Sequence, residues 1–315
     1  MSDIIGHAQV LSFFAKVKQA GNLSHTYCLV GPEQVGKKRV VEELAIDLLK
    51  TERAKLAING DYTLVEQLFD EKTEKTKKDI TVAQIRELRE YLARHSYYGG
   101  YKIAVIDNAE KMNAEASNAF LKTLEEPTDK TILFIITRDE TQLPTTITSR
   151  CQIIYFQPVK SALLKSYLKD KVDEATAETM TRLSQGLPGK IITWLDDRTE
   201  FEWQKQEVLR FQSLLGKPFY QKIKKVDDLF NDKTDHIAVR QRLQRVLSLW
   251  QILVRDFFLC QAGLVNFNIH HLEGREVWNA KITSQLEKHI QEAKIMLEKN
   301  IHSKLLIENI LLNLP

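Results

Sequence analysis

Gly31-Pro-Glu-Gln-Val-Gly36-Lys37-Lys38 matches the phosphate-binding loop pattern G-x-x-x-x-G-K-[ST] at every position but the last. In such a loop the backbone N–H groups and the N-terminus of the following helix cradle phosphates. The lysine neutralises the β and γ oxygens, and the closing hydroxyl ligates Mg²⁺. Lys38 puts a second ammonium where that hydroxyl belongs. It cannot ligate a cation, and at about 4 Å it repels one by ~1 kcal/mol in water and several-fold more in a drier site. The loop follows the apolar run 27–30 and precedes a stretch carrying Val40, Val41, Leu44 and Ala45, the strand-then-helix context the motif requires. A nucleotide-binding fold that has lost its own hydrolysis is the expectation.

Working outward, short apolar runs at 27–30, 62–69, 102–107, 132–136 and 152–156 alternate with helical patterns, which predicts a five-stranded parallel sheet flanked by helices. Thr81-Val-Ala-Gln84 forms a capping box ahead of Ile85, Leu88 and Leu92 on one helical face. Asn113 can cap the next helix, with its stripe of Ala116, Phe120, Leu121 and Leu124 ended by Glu125-Glu126-Pro127. The mixed-charge segment 70–79 has nothing to bury and reads as a solvated loop. After Pro158 strand signals stop. Segments 161–170, 174–184 and 189–195 read as three short helices around Gly186-Leu-Pro-Gly189, and longer amphipathic stretches at 239–260 and 282–312 read as a helical bundle. The expected domains are therefore 1–158, 159–202 and 203–315.

Three positions join the loop as candidate chemistry. Asp107 ends the apolar strand Ile103-Ala-Val-Ile106, where at the carboxyl edge of a parallel sheet it would lie beside the loop and hold Mg²⁺; its plainer reading is a strand-ending cap. Asn108 follows, where ATPases of this layout commonly carry the acid that polarises the attacking water, and an amide is no base at neutral pH. Lys38 and Asn108 thus damage metal binding and water activation separately. Thr137, at the end of Ile132-Leu-Phe-Ile-Ile136, points toward the place of a γ-phosphate. Arg150, in Thr148-Ser149-Arg150-Cys151, directly precedes a strand and could project into a neighbour's active site, where a guanidinium is worth ~10³–10⁵ in rate; its plainer reading is a surface ion pair.

Composition sets the bounds. At 315 residues and 43% hydrophobic the chain can build two or three cores. Lys+Arg 45 against Asp+Glu 42 gives a formal charge of +3, too small to predict nucleic-acid binding by bulk charge. Residues 204–315 hold 17 Lys+Arg and 12 Asp+Glu, an excess that surface solubility explains as well as a partner does. No apolar run reaches membrane-span length, and the first residues lack a signal-peptide layout, so a cytoplasmic protein with no membrane partner is expected. Cys28, Cys151 and Cys260 are too scattered for a C-x-x-C pair or a zinc cluster and read as free thiols in a reducing compartment.

Taken in order, these elements resemble the AAA+ ATPase family, in its branch of bacterial DNA polymerase III clamp-loader subunits. The resemblance rests on Ser24-His25-Thr26-Tyr27, Gln84-Ile-Arg-Glu-Leu88-Arg, Tyr98-Gly-Gly100-Tyr-Lys102, Ile106-Asp-Asn-Ala-Glu110-Lys-Met112-Asn, Ala119-Phe-Leu-Lys-Thr-Leu-Glu-Glu-Pro127 and Leu143-Pro through Thr148-Ser-Arg-Cys151. It covers about residues 1 to 158; the rest fits by helical layout. It implies an α/β AAA+ domain, a small helical lid and an all-α C-terminal collar. It also implies a pentameric ring with gamma/tau motor subunits and a delta subunit that opens a sliding clamp onto primer-template DNA.

In that family the Ser-Arg-Cys arginine acts on the neighbour's ATP, which assigns Arg150 a trans role. Gly31, Gly36, Lys37, Lys38, Asp107 and Thr137 carry over as a vestigial nucleotide site, with weak ATP or ADP binding and no required cofactor or metal. Zinc-ligand cysteines found in many relatives are absent, and Gly189 stands where a lid arginine often touches the γ-phosphate. Every departure removes nucleotide chemistry, so a stator without intrinsic activity is implied, and any polymerase (nucleotidyltransferase) activity belongs to the holoenzyme. Arg86 and Arg89 are candidates for DNA phosphate contact. The alternatives are an active ATPase motor of a clamp or helicase loader, with Glu110 standing in as base, and a small-molecule kinase, which leaves Arg150 and the helical half unused.

Overall fold

The computed structural model describes residues 4–70, 75–125, 130–230, 236–264, 269–270, 279–298 and 303–315. The chain divides into two compact units, Met1–Ile191 and Ile192–Pro315.

The first unit runs α1 (Ala8–Gln19), β1 (Thr26–Val30), α2 (Lys37–Leu49), α3 (Arg53–Leu56), β2 (Tyr62–Val65), β3 (Phe69–Asp70), β4 (Lys75–Thr76), α4 (Val82–Ala93), β5 (Lys102–Ile106), α5 (Ala114–Glu125), β6 (Thr131–Thr137), α6 (Thr145–Thr148), β7 (Gln152–Tyr155), α7 (Ser161–Leu168), α8 (Glu174–Ser184) and α9 (Pro188–Asp196), the last crossing the division. Five strands form one sheet in the order β2-β5-β6-β1-β7, each pairing parallel. Every residue of β1, β5 and β6 is buried, because helices cover both faces; such strands read as unbroken apolar runs rather than alternating ones. Successive side chains still point to opposite faces. Tyr27 and Leu29 pack with Phe14, Val40 and Phe134 on one side, while Cys28 and Val30 pack with Ile85, Leu88 and Phe120 on the other.

The expected strands are present, with one shortened. The stretch 62–69 is β2 as far as Val65, then a turn back: Gln67 Nε2 donates to the Lys77 and Lys78 carbonyls at 2.9 and 2.6 Å, and the Lys77 N–H donates to the Leu68 carbonyl at 2.7 Å. Phe69 therefore opens the antiparallel pair β3–β4, so 70–79 is more than a solvated loop, although 71–74 lie outside the described residues. Both helix starts are as expected. Thr81 N–H donates to Gln84 Oε1 at 3.0 Å, and Asn113 Oδ1 accepts from the Ala116 N–H at 2.8 Å. Glu126 and Pro127 lie outside the described residues.

The second unit is helical: α10 (Thr199–Leu214), α11 (Phe219–Val226), α12 (His236–Gln261), α13 (Ala280–Glu298) and α14 (Ser303–Asn313). Phe211, Trp250, Leu253, Leu286, Ile290 and Ile310 share one apolar core. The single stretch expected over 282–312 is described as two helices, α13 and α14, and 299–302 lie outside the described residues. Among the described residues no helix is long and apolar enough to cross a membrane.

Candidate functional site

The parallel order puts the carboxyl ends of β1, β5 and β6 at one edge, where ligands of open α/β sheets bind. Gly31 leaves β1 there, its N–H donating to the Thr137 carbonyl at the end of β6 at 3.2 Å. Its φ is 153°, and a Cβ would stand 2.5 Å from the Phe156 carbonyl oxygen, so the loop can only begin on glycine. Gly36, at φ 110°, is the N-cap of α2. The first-turn N–H groups of α2, with no intrahelical acceptors, crown the loop. His7 holds it from outside, its Nε2 2.7 Å from the Val35 carbonyl.

Lys37 is buried and donates to the carbonyls of Gly31 and, at 2.9 Å, Pro32. Burial lowers its pKa, against the nearby charges of Glu110 and Asp107. Lys38 reaches the other way, with Nζ 2.8 Å from Glu66 Oε2 and 3.5 Å from Asp107 Oδ2. Burial would lower this lysine's pKa too, but the Glu66 hydrogen bond and the charge of Asp107 outweigh it and hold the ammonium above its ordinary value. Asp107 is tied down further by the Asn108 N–H at 3.0 Å to Oδ1.

The structure thus brings together Gly31, Gly36, Lys37, Lys38 and Asp107. Thr137 also lies at this edge, but its hydroxyl donates to the Asp139 carbonyl at 3.1 Å, closing a local turn. Arg150 is elsewhere: its guanidinium donates to the Thr146 carbonyl and to Glu125 Oε1, both at 3.0 Å. The ion pair is half-exposed, a kind of contact worth ~0–1 kcal/mol and easily exchanged for another. Arg86 and Arg89 are exposed on α4.

A divalent cation does not fit here. Its place beside Asp107 holds the Lys38 ammonium, and among the described residues no group of three His, Cys, Asp or Glu side chains could hold a metal. None of the three cysteines is in a disulfide. Position 189 has no room for an arginine either. Gly189 donates its N–H to the Gln34 carbonyl at 2.8 Å, and a Cβ there would stand 2.8 Å from both that oxygen and Gln34 Cβ.

Sequence reasoning missed Glu66, which ends β2 beside β5 just as Asp107 ends β5; the acid-after-strand rule would have found it. His7 carries no such signal. Neither does Arg138, which pairs with Glu33 and lies with Nε 3.5 Å from Glu110 Oε1. Both Glu110 oxygens are buried with no hydrogen-bond partner, so this acid faces Arg138 as an ion pair without a hydrogen bond.

A phosphate loop at the carboxyl edge of a β2-β5-β6-β1-β7 parallel sheet, followed by short helices, defines a P-loop module of the AAA+ class. A DNA polymerase III gamma subunit-related protein from Thermotoga maritima shares this fold, with TM-score 0.51 and 17% identity over 95% of this chain and 97% of that one. Residues 6–160 match the model of the family described as DNA polymerase III, delta subunit. Among relatives, subunit delta' of DNA polymerase III from Pseudomonas aeruginosa is 33% identical over 48% of this chain and 48% of its own, so the match spans about half the length of that relative. Subunit delta' from Bacillus subtilis is 27% identical over 75% of this chain and 72% of its own. Residues 6–160 thus match the DNA polymerase III delta-subunit family model, and the relatives to which that half of the chain is similar are delta' subunits.

Proposed function

We propose that this chain is the stator of a clamp loader: a subunit of the DNA polymerase III holoenzyme that does not hydrolyse ATP and helps load a sliding clamp onto primer-template DNA. The observation that carries the reading is Lys38, whose ammonium spans Glu66 and Asp107 where a working site needs Mg²⁺. Asn108 in place of the water-activating acid supports it. In this reading the vestigial site contributes rigidity, residues 159–202 act as a lid, and residues 203–315 form a collar joining gamma/tau motors and a delta subunit in a pentameric ring.

Arg150 supplies a guanidinium to the ATP held by the adjacent motor. Its own-chain partner, Glu125, holds it by a half-exposed ion pair that a γ-phosphate outcompetes, since charge-assisted contacts strengthen where water is excluded. The test is the DNA- and clamp-stimulated ATPase of a reconstituted loader containing this chain or its Arg150→Ala variant, with assembly checked by size. A fall approaching that from disabling one motor site is expected, since a finger contributes ~10³–10⁵ at its own site, with the isolated chain inactive. An unchanged rate sinks the trans role. Mg²⁺-dependent turnover by the isolated chain favours the second reading, an active motor, whose supporting observation is the buried Glu110 carboxylate, which makes no hydrogen bond and has Arg138 3.5 Å away.

A further inference from the structure

A phosphate loop needs positive charge at two places: the side occupied by its lysine and the side occupied by its metal. Lys37 provides the first in the ordinary way. At the second, Lys38 stands on the first turn of α2 with its Nζ 2.8 Å from Glu66 and 3.5 Å from Asp107. The strand-end acid that would bind a hydrated Mg²⁺ therefore already faces a cation, and that cation is covalently attached to the loop. An ammonium has three N–H donors in roughly tetrahedral array. With one directed at Glu66 and another at Asp107, the third remains to meet a phosphate oxygen.

We propose that Lys38 is a tethered substitute for the divalent ion, so that this site takes a nucleoside polyphosphate free of metal rather than its Mg²⁺ complex. The inference rests on the reading of the site as degenerate and deepens it by naming the ligand form. The tetraanionic phosphate chain of free ATP keeps the charge that Mg²⁺ would otherwise neutralise, and two lysines flank the loop to receive it. The Mg²⁺ complex would bring a divalent ion toward the Lys38 ammonium, and like charges in a partly dry site repel more strongly than in water. The same arrangement removes hydrolysis, because an ammonium fixed between two carboxylates neither orients a water nor follows the charge that moves to the leaving oxygens in phosphoryl transfer.

The experiment is calorimetric titration of ATP into the full chain, with Mg²⁺ and with EDTA, for the wild type and for Lys38→Thr, which restores the hydroxyl of the motif. For the wild type, affinity in EDTA equal to or up to about tenfold above that in Mg²⁺ is expected, because the free form brings no divalent ion against the Lys38 ammonium. Lys38→Thr should reverse the order, binding about tenfold more weakly in EDTA and regaining affinity with Mg²⁺. Wild-type binding that requires Mg²⁺ overturns the inference, as does the absence of binding in either buffer; neither outcome disturbs the stator reading. ATP turnover by the isolated chain would instead sink that reading, so the two failures are separable. Should Lys38→Thr fold poorly, the wild-type comparison alone decides.

Discussion

Gly189 donates its backbone N–H to the Gln34 carbonyl at a distance that leaves no volume for a side chain. Gly189→Arg should therefore cost about 1–3 kcal/mol, as overpacking does, measured by urea unfolding; a neutral substitution would mean that the contact is not formed in solution. Asp61 makes a second residue-scale prediction. Buried at 1% exposure, it accepts from the Tyr97 and Tyr98 N–H groups at 2.6 and 2.9 Å and from the Ser96 hydroxyl at 2.8 Å. Burial pushes its pKa up, but these bonds, with the charge of Lys102, win and hold it below the ordinary value. With the folded pKa below the unfolded ~3.9, the stabilisation is full above the unfolded value and is lost as pH falls through the folded one. Asp61→Asn should cost about 2 kcal/mol at neutral pH and flatten the acid limb of the stability profile. An unchanged acid limb would show that another carboxylate governs it.

Lysines end two helices, and this is where reading the chain residue by residue falls short. Lys102 opens β5 and is buried, yet its Nζ donates to the carbonyls of Tyr91 and, at 2.8 Å, Arg94 at the end of α4 and sits 4.1 Å from the centre of the Tyr91 ring. Lys222 on α11 serves α14 in the same way, through the carbonyls of Leu311 and Leu314. Each satisfies last-turn carbonyls that would otherwise be buried without donors. Lys102→Met should cost about 1–3 kcal/mol and speed amide exchange at the end of α4. Full protection there would show that another donor caps the helix. In sequence both lysines look like solvated charge, because the carbonyls they meet are distant or nonspecific in the letters. Elements whose evidence is local were legible: β1, β5 and β6 as unbroken apolar runs, and α4 and α5 through Thr81, Gln84 and Asn113. The site was legible to the extent that motif position implies geometry, which covers Gly31, Gly36, Lys37 and Asp107. That Lys38 would bridge to Glu66 depended on which strand neighbours β5, and spacing along the chain does not encode that order.

All four tryptophans, Trp194, Trp203, Trp250 and Trp278, fall in the unit Ile192–Pro315. Tryptophan emission therefore reports on one unit while far-UV circular dichroism reports on both. Each unit has its own apolar core, and multidomain chains commonly depart from two-state unfolding. Urea titration should give a fluorescence transition displaced from at least part of the dichroism change; superimposable curves would mean that the units unfold as one.

The amide of Gly189, at the start of α9, is fastened to a carbonyl of the loop and makes no use of a phosphate. In a nucleotide switch the lid reads its ligand through a side chain, and emptying the site lets it go. Here both halves of the fastening belong to the chain itself. Main chain is thus tied to main chain, and a change of side chain at Gln34 leaves the knot untouched.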